Sequence, residues 1–260
     1  MLNKDFLITL FLWIIFTLIG EIGLFSVQDH IFPIQGSEEA IFIDDAFFLL
    51  TVLSVPIFTL VCVMLGYSFM NFRASKNKIA SQSADKQSVK QILYWKWGWL
   101  IVSTVLCLSV LVHPGFTGIN ELFAHEDKTP DLTVSVTGQQ WAWSYQYIDT
   151  DNLDDSVTIR GSKETVVLPN NSLIRFHITA PENDVLHSFW IPAFRTKIDV
   201  IPGMYTALNI NTNRIGNYDE DVNYRVQCAE LCGMGHSMMS NKVSVVSKEE
   251  FEKWLSQKKK

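Results

Sequence analysis

"VQCAELCGMGHSMMS", residues 226–240, crowds two cysteines, a glutamate, a histidine and several methionines into one short stretch. The spacing Cys228-x-Glu230-x-Cys232-x3-His236-x2-Met239 admits a disulfide, a redox pair or a metal site. A bridge closing a loop with only three residues between its cysteines would be short and usually strained, although close pairs do occur in redox-active proteins. Thiolate, imidazole and thioether together form a soft donor set suited to copper, because sulfur favours Cu(I) and imidazole tolerates both oxidation states. Structural zinc sites space paired cysteines similarly but add no methionine, so Met239 argues for copper over zinc. Spacing alone leaves the disulfide open.

The rest of the chain says where such a stretch resides. Its 260 residues are 48% hydrophobic with a mean hydropathy of +0.14, too apolar for an ordinary soluble protein and too polar for one wholly in a membrane. Phe6–Phe25, Ile41–Met70 and Ile92–Val112 are apolar runs about long enough to cross a bilayer, which takes roughly 20 residues. Arg73, Lys76, Lys78, Lys86 and Lys90 put the loop at 71–91 on the cytoplasmic side, whereas residues 28–45 carry no Lys or Arg and face outward. Residues 1–27 read as a signal peptide or an extra transmembrane helix. Lys4 before an apolar run fits either, and Glu21 interrupts its end without a clear small-x-small cleavage site. Residues 41–114 form a transmembrane hairpin, 131–250 an exported domain and 251–260 a C-terminal tail. The expected location is a bacterial-type inner membrane, with the C-terminal domain on the periplasmic or extracellular side. Cys62 and Cys107, inside apolar runs, read as buried small hydrophobes.

From Asp131 onward, short alternating runs between turn residues indicate an all-β sandwich or barrel: "LTVSVTGQQWAWSYQY", "SVTIRG", "TVVLPNN", "LIRFHITA", "HSFWIPA", "KIDVIPG", "TALNINT", "YRVQCAE" and "KVSVVS". In the first of these, Trp141 and Trp143 flank Ala142 and share a face if the strand is continuous, most simply as core. Phe251, Trp254 and Leu255 recur at helical spacing and suit a short amphipathic helix on the barrel.

A second histidine lies about forty residues upstream of the cysteines, in "PENDVLHSFWIPAFRTKIDVIPG". With "DVLHSFWIP", "KIDVIPG", "VTGQQWAWSYQY" and the cysteine loop in this order, residues 41–250 resemble subunit II of the haem-copper respiratory oxidases, the CuA-containing cytochrome c oxidase subunit 2 family. The resemblance implies an α+β membrane protein: two or three N-terminal transmembrane helices, then an all-β cupredoxin-like Greek-key barrel. It implies a dinuclear copper centre, CuA, with Cys228 and Cys232 bridging both coppers. His187 and His236 each terminate one copper, and Met239 and the Glu230 carbonyl are weak axial ligands. Met238, one step off the motif, packs the loop. Trp141 aligns with the tryptophan through which electrons come in from cytochrome c or a similar small redox donor. The Glu230 side chain, with Asp199 nearby, aligns with a magnesium site shared with subunit I. Further partners are that subunit, other oxidase subunits and membrane lipid; no nucleic acid is expected.

The resemblance has departures. Position 204 is Met where the family often has Arg, and "QILYWKWGWLIV" lacks the acid many members place at a proton channel. The implied function is electron transfer to haem in subunit I for oxygen reduction. The competing functions are the CuA subunit of a nitric oxide reductase, kept because that acid is missing, and a copper-delivery protein. The intact copper ligands argue against quinol as direct donor. Acidic stretches suggest docking of a lysine-ringed donor, with Asp184 the foremost candidate and "DTDNLDD" (Asp149, Asp151, Asp154, Asp155) another.

Overall fold

A computed structural model describes residues 4–71, 89–123, 127–148, 156–161 and 164–259. The cytoplasmic loop's basic residues from Arg73 to Lys86, and the acids from Asp149 to Asp155, lie outside the described residues. The chain divides into two units, a helical one (1–31 and 45–118) and a β-rich one (32–44 and 119–260).

The helical unit contains three helices long and apolar enough to cross a membrane: α1 (Lys4–Ile31), α2 (Glu38–Asn71) and a third span, Leu93–Asn120. That span begins within α3 (Val89–Val110) and runs through a kink at Leu111–Phe116 into α4 (Thr117–Phe123). The kink falls at Pro114, which has no N–H to donate, and His113 before it is extended, as a residue preceding proline prefers. Helices α1 and α2 run antiparallel. The Trp13 indole donates to the Pro56 carbonyl at 2.8 Å, the Thr17 and Thr59 hydroxyls lie 2.7 Å apart, and Gly20 allows Val55 to approach. Such polar contacts between small residues hold helices where lipid removes the hydrophobic drive to associate. Cys62 and Cys107 are exposed on these helices, not buried as their apolar surroundings suggest, because helices long and apolar enough to cross a membrane turn apolar faces outward and not into a core of their own.

The β-rich unit comprises β1 (Leu132–Gln139), β2 (Ala142–Ile148), β3 (Val157–Arg160), β4 (Val166–Pro169), β5 (Ser172–Thr179), β6 (His187–Trp190), β7 (Lys197–Val200), β8 (Thr206–Thr212), β9 (Gly216–Asn217), β10 (Arg225–Cys228) and β11 (Ser240–Val246), closed by α5 (Lys248–Lys258). One sheet has the order β3-β2-β1-β5-β8 and the other β4-β11-β10-β6-β7, with β9 on β11. Alternate residues of both sheets, among them Val134, Val136, Ile174, Phe176, Phe189, Val226 and Val243, are buried in one core. Period-two burial of this kind fixes strand register. Helix α5 starts with a capping box in which Ser247 and Glu250 satisfy each other's backbone N–H groups. Its Phe251 and Trp254 pack on Tyr147, 6.1 and 5.1 Å between ring centroids.

The run "VTGQQWAWSYQY" is not one strand. The chain reverses at Gln140–Trp141 and pairs β1 with β2 in register Gln139↔Ala142. Trp141 therefore sits on the turn, 37% exposed, while Trp143 enters the core. The segment before α2 also belongs here. Gly36 N donates to Ala193 O at 2.8 Å, and Glu39 accepts from Asn211 N at 3.0 Å. Asp44 takes a bidentate bond from Arg195, 2.8 and 2.9 Å. Arg195 has φ 62°, a left-handed conformation unusual outside glycine.

Candidate metal centre

Strands β6 and β10 are neighbours in register Cys228↔Phe189, which brings His187 at the start of one strand toward Cys228 at the end of the other. The chain then loops through 229–239 and returns into β11, fastened by Cys228 N donating to Met239 O at 3.0 Å and Ala229 N to Ser188 O at 2.9 Å. This loop and β6 together gather every ligand residue expected from the sequence.

The two thiols are unbonded, with Sγ atoms 3.7 Å apart. His187 Nδ1 lies 3.9 Å from Cys228 Sγ, and His236 Nδ1 3.5 Å from Cys232 Sγ. Met239 Sδ is 3.8 Å from Cys232 Sγ, and the Glu230 carbonyl oxygen 3.1 Å from Cys228 Sγ. His187, Cys228 and Cys232 offer donor atoms within 4.8 Å of one another. All three are buried, as is Met239, whereas His236 is half-buried and Glu230 exposed. Met238 faces solvent at 71% exposure and does not pack the loop as expected, because the turn at His236–Met238 directs its neighbour Met239 inward instead.

The electrostatics argue against a reactive thiol. Burial, reinforced by the adjacent Cys228, pushes the Cys232 thiol well above its ordinary range. Redox-active and nucleophilic cysteines are tuned the opposite way, toward the thiolate. A bound cation would reverse that shift, since a coordinating thiol is deprotonated. Burial also lowers His187 below its ordinary value, partly opposed by Asp184, so its imidazole is neutral at pH 7 and able to ligate. Two thiols, two imidazole nitrogens, a thioether and a carbonyl that converge in this way fit a soft metal.

Asp184 is placed differently from the surface role expected of it. Its side chain is 6% exposed and lies 3.5 Å from His187 Nε2. It also accepts from Gln140 N at 3.0 Å and Val185 N at 2.7 Å. It therefore lies inside the site, the carboxylate nearest to Nε2, which is otherwise buried without a hydrogen-bond partner among the described residues. Its charge favours the tautomer protonated there, with Nδ1 free for a metal. Its charge and its place three residues before His187 suggested a docking residue; that same spacing instead turns it toward the imidazole.

Gln140 is a further residue that the sequence did not reveal. Its Nε2 and the Trp141 indole Nε1 both donate to the Cys232 carbonyl, at 2.8 and 3.0 Å. The Trp141 ring lies on the loop backbone so closely that a Cβ at Gly235 would meet it at 2.4 Å. Trp143 closes the inner side, donating to Met239 O at 3.3 Å and standing edge-on to His187, centroids 6.0 Å apart.

A family profile described as cytochrome c oxidase subunit II, periplasmic domain, matches residues 132–246. A probable cytochrome c oxidase subunit 2 of Rickettsia felis is 33% identical over 223 residues, 80% of this chain and 65% of its own, so the chain spans just under two thirds of that relative. The cytochrome c oxidase subunit 2 of Chondrus crispus is 30% identical over 94% of this chain and 95% of its own. The solved periplasmic domain of subunit II of cytochrome oxidase from Bradyrhizobium japonicum is 33% identical over 50% of this chain and 95% of that domain, with a TM-score of 0.44.

Proposed function

Because the chain belongs to the cytochrome c oxidase subunit II family, we propose that it is the electron-transfer subunit of a membrane haem-copper terminal oxidase. It takes electrons from cytochrome c or a similar small redox protein and passes them to haem in subunit I. The single observation behind this reading is the convergence of His187, Cys228, Cys232, His236, Met239 and the Glu230 carbonyl, a set of soft donors in contact around the two thiols.

In this reading Cys228, Cys232, His187, His236, Met239 and the Glu230 carbonyl would together hold two copper ions. Bound copper supplies a one-electron carrier. The chain's own residues do the rest. The ligand residues are anchored in β6, β10 and the loop, and a full ligand shell would leave no open position for substrate. Asp184 orients His187, and Gln140 and Trp141 brace the Cys232 carbonyl. Trp141 spans from surface to ligand, half-exposed at one edge and hydrogen-bonded to Cys232 at the other, which suits it to receive the electron. The Glu230 carbonyl faces the thiols while its carboxylate is exposed, free to share a magnesium ion with subunit I.

In this reading the chain resides in a bacterial-type inner membrane, in contact with lipid, subunit I and other oxidase subunits, with the β domain on the periplasmic or extracellular side; three helices long and apolar enough to cross a membrane support it. Relatives matched along nearly their whole length carry oxidase names, favouring oxygen over nitric oxide at the partner. Consumption of each gas by the isolated complex, with reduced cytochrome c as donor, tests the reading. Oxygen uptake abolished by Cys232→Ser supports it, and nitric oxide uptake without oxygen uptake would overturn it.

A further inference from the structure

A metal ion destined for the thiols meets a wall on most sides. Cys228, Cys232, Met239 and His187 are buried beneath Trp141, Trp143 and the strands, so among the ligand residues only His236 and Glu230 reach the surface. Met234 stands two residues before His236 and Met238 two residues after it. The backbone on either side of Met234 is pressed against Trp141. A Cβ at Gly233 would meet its ring at 3.2 Å, and one at Gly235 at 2.4 Å. Pinned at both neighbours, Met234 is turned outward and is 93% exposed; Met238 is 71% exposed. Long apolar side chains usually gain by burial, so two methionines held in water on the loop that carries Cys232 and His236 need a reason. A thioether makes poor hydrogen bonds but is a soft ligand for Cu(I).

We propose that Met234 and Met238 form a transient Cu(I)-capture pair at the His236 edge of the cluster, receiving copper from a soluble Cu(I) carrier and passing it inward. This rests on the copper reading given above. In the transfer step a bond from Cu(I) to the Met234 or Met238 thioether breaks and one to the Cys232 sulfur forms. The thiol proton leaves to solvent, and copper stays in the +1 state, so no oxidant or reductant is required. His236 and Met239 flank the route, their Nδ1 and Sδ atoms lying 3.5 and 3.8 Å from Cys232 Sγ.

The test uses the full chain in detergent, stripped of metal and kept reduced and anaerobic. Cu(I) is supplied as its bicinchoninate complex, and loss of the chelate's colour times the transfer. The double variant Met234→Leu with Met238→Leu keeps size and hydrophobicity while removing sulfur. Transfer to it is expected to slow about ten-fold, one weak ligand's worth of affinity, with the final copper content unchanged. Leu231→Ala, which removes exposed apolar surface from the same loop, should leave the rate as it was. Equal rates in the wild type and the methionine variant overturn the inference, as does equal slowing by Leu231→Ala. A wild-type chain that takes no copper from the chelate overturns the copper reading itself, a result distinct from equal rates in chains that fill.

Discussion

Two polar clusters of the β domain, one around Arg195 and one around the cysteines, differ in how their hydrogen bonds are accounted for. At Arg195 the accounting closes. The guanidinium gives Asp44 a bidentate bond and donates to the carbonyls of Pro33, Ile34 and Pro192, while Asp44 also accepts from Gln35. At the cysteines only weak sulfur contacts join the groups. Thiols, imidazole nitrogens and a thioether face one another at 3.5 to 3.9 Å. Strong donors and acceptors close the first cluster, which ties the segment before α2 to the β domain; soft donors leave the second open to a soft metal.

Replacing a thiol should separate the two clusters most sharply. Cys228→Ser or Cys232→Ser should abolish stable copper binding, measured as metal content after dialysis against chelator, while leaving the fold intact. Removing one partner of the closed cluster should do the reverse. Arg195→Ala strands Asp44 in the interior and should lower unfolding free energy by about 3 kcal/mol or more in urea titration, without changing the spectrum of the metal-loaded site. Full stability in that variant would show that the pair contributes nothing.

Smaller effects should come from residues that support the open cluster. Asp184→Asn weakens the hold on His187 and should reduce metal affinity about ten- to hundred-fold, with the salt dependence of the donor reaction unchanged. A lost salt dependence with metal affinity intact would return Asp184 to a docking role. Gly235→Ala forces a methyl group into the Trp141 ring and should cost roughly 1–3 kcal/mol. The mildest effect concerns pH. Burial raises Tyr145 and Tyr147 above their ordinary value near 10, so the folded state resists their ionisation more than the unfolded state does. Their contribution to stability is whole below about pH 10 and is lost as pH rises toward the folded values. Urea midpoints that fail to fall between about pH 9 and 11 would contradict this.

What the sequence disclosed follows the range of the signal. The strands were legible because alternation is local, and the cysteine loop because Cys228, Glu230, Cys232, His236 and Met239 lie within one stretch. The turn at Gln140–Trp141 was hidden because no Gly, Pro, Asn or Asp marks it and the alternation runs through it. The partnership of Asp44 with Arg195 spans 151 positions, and each alone looks like a solvated charge. Asp184 misled for the same reason, since composition reports that a carboxylate exists but not which way it points. Cys62 and Cys107 misled in the opposite sense: an apolar run looks like a core until the medium around it is known.

The most direct test of the central claim is the metal content and electron paramagnetic resonance of the purified full chain, reconstituted with copper. The open cluster should take up two copper ions, turn purple and give the signal of one unpaired electron shared equally between them. A colourless chain holding one zinc ion, or a Cys228–Cys232 disulfide with no metal, would contradict it.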